Sequence, residues 1–138
     1  MQVIIMTAGR STRMSEYTGG RHKCLVEYRG ETVVFRLVRQ LIQAGYTDIT
    51  VVCGYQKEGV VEALSLIRGI NFVENADYAI DKNILSLIKA YPDIDAPLLI
   101  VEGDIILSDK CIPFLRELRL TGREKMMSWS YQLYTESL

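Results

Sequence analysis

The chain has no excess of either charge. Its 16 basic and 17 acidic residues give a formal net charge of -1, which excludes a nucleic-acid surface built on bulk positive potential. Any anion must therefore be held by cations placed locally. Cysteines are few, and Cys24, Cys53 and Cys111 are odd in number and far apart. They match neither a secreted disulfide framework nor the ligand spacing of a metal site, and they point to a reducing cytoplasm. Long apolar runs are absent as well. The stretch from Val3 to Ala8 is too short for a membrane span or a secretory core, so no membrane partner is expected. Histidine occurs once, as His22, and its expected role is a surface one. What is present is 138 residues, 49% of them hydrophobic, the size and composition of one globular domain over residues 1–138.

Val3-Ile4-Ile5-Met6 is an unbroken apolar run stopped at Thr7-Ala8-Gly9, the pattern of a strand buried on both faces. Polar sequence follows to Arg21. Val34, Leu37, Val38 and Leu41 repeat at helical spacing with Gly45 where the helix would end. Ile49 to Val52 reads as a second strand, Val60 to Ile67 as a short helix and Ile70 to Val73 as a third strand. From Asp81 a further helix places Ile84, Leu87, Ile88 and Tyr91 on one face, with Pro92 beyond its end. Pro97 to Val101 is the most apolar strand and closes in Glu102-Gly103-Asp104. A last helix is capped near Ser108 or Asp109, with Pro113 in its first turns. Met127, Trp129, Tyr131 and Leu133 then alternate with polar residues, as in a strand with one buried face. The alternation predicts a three-layer α/β/α fold around a mainly parallel, Rossmann-like sheet, with ligands at the carboxyl ends of its strands.

Two loops stand at such ends. Ala8-Gly9-Arg10-Ser11-Thr12-Arg13 combines small residues, which let backbone amides approach a ligand, with two arginines; that composition suits a polyphosphate. It ends in no Gly-Lys-Ser/Thr, and Ser11 and Met14 stand where a dinucleotide fingerprint would have glycines. Lys23 is a further cation within reach. At the other loop, Asp104 is a carboxylate at the end of an apolar strand, a place where it must reach solvent, a cation or a hydrogen bond. Glu102 either supports such a site or caps the strand end.

Ala8-Gly9-Arg10-Ser11-Thr12-Arg13-Met14, followed by Lys23-Cys24-Leu25, resembles the signature of the sugar and choline-phosphate nucleotidyltransferases, written Ala-Gly-x-Gly-Thr/Ser-Arg-Met/Leu with a later Pro-Lys-x-Leu. Gln43-Ala44-Gly45, Val52-Cys53-Gly54-Tyr55 and Glu102-Gly103-Asp104 fall in the family's order. Asn75, Tyr78, Asn83, Ser86 and Leu87 resemble the choline-phosphate cytidylyltransferase branch. The resemblance implies that Ala8, Gly9, Arg10, Ser11, Thr12, Arg13, Lys23 and Asn83 bind a nucleoside triphosphate, CTP being favoured. It implies that Arg13 and Lys23 neutralise phosphate charge and that Asp104 holds magnesium. The second substrate would be a small phosphorylated metabolite such as phosphocholine, and pyrophosphate would leave. A sugar 1-phosphate acceptor is the alternative within the enzyme class; a nucleotide-binding module without catalysis is the alternative outside it. Ser11 and His22 depart from the signature's second glycine and its proline. The likeness covers about residues 1–110, whereas family members run further and carry a second metal-binding aspartate there. The site is thus expected to be completed by further chain or by a partner subunit, a homo-oligomer included.

Overall fold

The computed structural model describes residues 1–80, 83–90 and 97–121. Strand β1 (Gln2–Thr7) lies parallel to β4 (Ile49–Cys53) on one side and to β6 (Leu98–Glu102) on the other, with β5 (Ile70–Glu74) beyond β4. The order is β5-β4-β1-β6, all parallel. Register runs from Val3 opposite Ile49 and Leu99 to Ile5 opposite Val51 and Val101.

The apolar runs of β1 and β4 are continuous because both faces of the sheet are covered. Val3 and Ile5 point into a core with Leu37 and Leu41 of helix α2 (Val33–Gln43), Val60 of α3 (Lys57–Ala63) and Leu115 of α5 (Ile112–Thr121). Ile4 and Met6, one residue out of phase, meet Val52 together with Leu87 and Ala90 of α4 (Asn83–Ala90) on the opposite face. The period of two along a single strand thus defines the three layers. Helix α2 starts where the Thr32 side chain accepts the Phe35 N–H and stops at Gly45, whose φ of 96° is natural to glycine. The 3-10 turn before α5 is capped by Ser108, whose hydroxyl accepts the Lys110 N–H.

Several expectations shift in detail. The polar stretch after β1 contains a 3-10 turn (Thr12–Met14), a one-turn helix α1 (Ser15–Thr18) and a second 3-10 turn (Lys23–Leu25). A two-residue hairpin, β2 (Glu27–Tyr28) with β3 (Glu31–Thr32), turns through Arg29 and Gly30, both at positive φ. Helix α3 begins and ends earlier than its apolar residues suggest. In α4 the inward positions are Ser86, Leu87 and Ala90, whereas Ile88 is 64% exposed. Asp81, Tyr91, Pro92 and the segment 127–133 lie outside the described residues. Among those described, no helix is long and apolar enough to cross a membrane.

Candidate functional site

The chain leaves β1 toward β4 and β5 and later returns to β6 on the other flank of β1. That reversal creates a crevice at the carboxyl ends of β1 and β6, where open parallel sheets bind ligands. A cleft of about 560 Å³ lies there, walled by the loop after β1, by His22 and Lys23, by Ser86 of α4 and by Glu102 and Asp104. The sequence-predicted residues Ala8, Gly9, Arg10, Ser11, Thr12, Arg13, Lys23 and Asp104 all line it. Asn83 opens α4, and its side chain lies outside the described residues. A smaller hollow of about 290 Å³ shares Arg10, Ser11 and Thr12 and adds Arg21 and Tyr55.

Main-chain bonds fix the root of the loop. The Thr7 hydroxyl donates to the Val52 carbonyl at 2.7 Å, and the Tyr55 N–H donates to the Ala8 carbonyl at 3.1 Å. Gly54 is needed for this closeness, since a Cβ there would stand 2.7 Å from the Ala8 oxygen. Ser11 takes a left-handed conformation, φ 54° and ψ 29°, at the place where the signature has its second glycine. The hydroxyl that distinguishes it from glycine accepts the Lys23 N–H at 3.4 Å, tying the loop to the turn that carries Lys23.

On the other wall, Gly103 donates its N–H to the Met6 carbonyl at 2.9 Å. A Cβ on Gly103 would lie 2.4 Å from Thr7 Cγ2 and 3.0 Å from the Met6 oxygen. Only glycine lets β6 press against β1 here and deliver Asp104 to the mouth of the cleft. Lys23 Nζ and Asp104 Oδ2 meet at 3.1 Å, with their side chains 29% and 37% exposed. An ion pair this open is worth at most about 1 kcal/mol, so either partner can exchange it for a ligand at small cost. Three cations, Arg10, Arg13 and Lys23, face two carboxylates, Glu102 and Asp104. The local balance is therefore positive although the whole chain is nearly neutral.

Magnesium ordinarily takes one or two protein carboxylates and completes its shell with water and substrate phosphates. Asp104, with Glu102 in the same wall, fits that donor set. Among the described residues no group of three or more acidic, histidine or cysteine side chains forms a protein-only cage.

His22 corrects the surface role expected of it, since it is 5% exposed. Burial holds its pKa below the ordinary 6.5, against the opposing pull of the Gly9 carbonyl. Nothing in the residue type reveals this; chain far away lies around it, with the Tyr55 ring 6.3 Å from the His22 ring and Gln56 Oε1 accepting the His22 N–H at 2.7 Å. Ser86 is the other wall residue without a charge to announce it. Buried Asn75 donates to its hydroxyl at 2.8 Å and accepts Lys89 Nζ at 3.0 Å. The three cysteines form no disulfide and are buried, and burial raises the thiol pKa of Cys24 and Cys53. None is a nucleophile poised at the cleft.

Comparison with known proteins agrees with this geometry. The family model of the MobA-like NTP transferase domain matches residues 3–132. The 2-aminoethylphosphonate cytidylyltransferase of Lancefieldella rimae is 34% identical over 111 residues, which are 79% of this chain and 45% of that protein. Among solved structures, a nucleotidyl transferase of Methanothermobacter superposes with a TM-score of 0.69 at 26% identity, covering 87% of this chain and 56% of its own. The CTP:phosphocholine cytidylyltransferase LicC of Streptococcus pneumoniae gives 0.57 at 31% identity, covering 62% and 37%. The chain spans about half, or less, of the length of these relatives.

Proposed function

The chain belongs to the MobA-like NTP transferase domain family, and from that membership we propose that it forms the nucleotide half of a magnesium-dependent cytidylyltransferase. The reaction moves CMP from CTP to a small amino-alcohol phosphate or phosphonate and releases pyrophosphate. CTP and that acceptor class are favoured by the printed activities of the Lancefieldella and Streptococcus relatives. The observation that carries the reading is the meeting of Lys23 and Asp104 at 3.1 Å in the mouth of the cleft walled by Ala8 to Arg13. A cation for phosphate and a carboxylate for a metal arrive together from remote parts of the chain. The three buried cysteines, none of them in a disulfide, fit a cytoplasmic setting.

An acceptor oxygen attacks the α-phosphorus, and the bond from that phosphorus to the bridging oxygen of pyrophosphate breaks. Such chemistry is accelerated chiefly by alignment and by neutralising charge. The amides and small side chains of Ala8 to Thr12 receive the nucleotide, and Arg13 and Lys23 balance the phosphate oxygens. As Lys23 turns to phosphate it releases Asp104, whose oxygens would hold the metal. Magnesium, when bound, would supply Lewis-acid neutralisation of the charge that develops on the leaving group. No protein base is called for, because an acceptor phosphate with a second pKa of about 6 is already ionised near neutrality.

The test is calorimetric titration of the chain and of Asp104→Asn with CTP, UTP, GTP and ATP, each with and without magnesium. Magnesium-dependent binding of CTP by the native chain, lost in the variant, is the expected result. Tighter binding of UTP would move the reading to a sugar 1-phosphate acceptor, and an unchanged magnesium effect in Asp104→Asn would remove Asp104 from the metal site.

A further inference from the structure

The His22 ring is held on a fixed turn beside a loop that carries the ligand. Its backbone N–H is taken by Gln56 Oε1 at 2.7 Å, and Gln56 in turn donates from Nε2 to the Gly20 carbonyl at 2.8 Å. The Cys24 N–H donates to His22 Nδ1 at 3.2 Å. With Nδ1 occupied as an acceptor, the neutral ring carries its hydrogen on Nε2. That atom is buried and has no hydrogen-bond partner. The carbonyls of Gly9 and Thr7 lie near enough to favour the protonated ring, yet neither reaches hydrogen-bond geometry with Nε2. A buried donor facing two acceptors it does not engage is costly to leave so, and His22 stands in the wall of the ligand cleft.

We propose that His22 is a positioning residue that latches the nucleotide loop: when a triphosphate fills the cleft, Nε2–H donates to the Gly9 carbonyl and fixes the loop amides around the ligand. This rests on the nucleotide-binding reading above. Gly9 is the natural moving part, since a residue without Cβ lets its peptide turn with least hindrance. His22 itself never touches the nucleotide; it acts through the peptide of Gly9. The energy of its missing bond is thus recovered only in the ligand-bound form, where it adds to affinity.

Because His22 is the sole histidine, a long-range proton–nitrogen spectrum of the full chain reports it without ambiguity. In the free protein Nε2 should carry the proton and Nδ1 none. Addition of CTP with magnesium should move the Nε2–H resonance downfield and slow its exchange with water. His22→Phe, which fills the space without a donor, should bind CTP about tenfold more weakly, the equivalent of one hydrogen bond. His22→Gln, which keeps an amide donor at similar reach, should stay within about threefold. A proton on Nδ1 in the free chain would overturn the latch, as would CTP binding that leaves the Nε2–H signal unmoved or a His22→Phe affinity equal to the native one. The native spectra decide the matter even where His22→Phe fails to fold. A native chain that binds no triphosphate would instead overturn the nucleotide-binding reading, and the latch with it.

Discussion

Ser11 and His22 are the two residues at which this chain departs from the signature its loop otherwise follows, and their surroundings show what each departure does. A non-glycine residue in the left-handed region costs roughly 1–2 kcal/mol; Ser11 accepts that cost while adding a hydroxyl that receives the Lys23 N–H. The buried ring of His22 resists protonation, chiefly through desolvation, although Asp104 and the Gly9 carbonyl oppose the shift and Lys23 reinforces it. With the folded pKa below the unfolded 6.5, the unfolded chain binds more protons between the two values. Stability then rises with pH across that window and falls as pH drops below about 6.5. The half-buried Glu31 and the exposed Asp109 have lowered pKa values, so their contribution is lost only further down, below their ordinary 4.5 and 3.8. Thermal unfolding followed from pH 7.5 to 5.5 should therefore show a slope that is absent in His22→Phe; equal slopes would place the ring in water. Lys23 and Asp104 were singled out in the sequence through the resemblance of their loops to a known signature, since on charge alone either reads as a solvated side chain; the structure brings the two together in one cleft. The burial of His22 was not legible, because its neighbours Tyr55 and Gln56 are remote in the chain.

Among the elements, the junction of β1 and β6 has the least room. Gly103→Ala sets a methyl group 2.4 Å from Thr7 Cγ2 and 3.0 Å from the Met6 carbonyl, and overpacking of this kind costs about 1–3 kcal/mol. An unfolding free energy from chemical denaturation lowered by that amount is expected, together with weakened magnesium-dependent CTP binding as the strand end carrying Asp104 shifts. Native stability in Gly103→Ala would show that the sheet yields here. Strands β1, β4, β5 and β6 could be read from their apolar runs, and α2 from its period and its glycine stop. The inward face of α4 could be read only in part. Periodicity placed both Leu87 and Ile88 on it; Leu87 packs inward, but Ile88 is exposed, and the hydrogen bond from Asn75 gives a serine, Ser86, an inward place that no apolar pattern records. The hairpin of β2 and β3 and the turns around α1 are too short to hold any period at all.

Taken whole, the molecule keeps Cys24, Cys53 and Cys111 in one core, the one shared by α2, α3 and α5. A thiol reagent should find none of the three in the native chain and all of them after denaturation, with a single rate under native conditions that tracks global opening. One cysteine reacting early would reveal a region that opens by itself. The mainly parallel, three-layer architecture was legible because alternating strands and helices admit few arrangements. The order in which the strands pair has a further bearing, on how the chain is made. Strand β1 is the first written, and it pairs with β4 on one side and β6 on the other. At about 5–20 residues per second, the roughly hundred residues between β1 and β6 take about 5–20 s to synthesise. For that interval the side of Val3 to Met6 that later meets β6 is an open edge, and the charges of Arg10 and Arg13 just behind it are of the kind that discourage a growing chain from pairing with its neighbour.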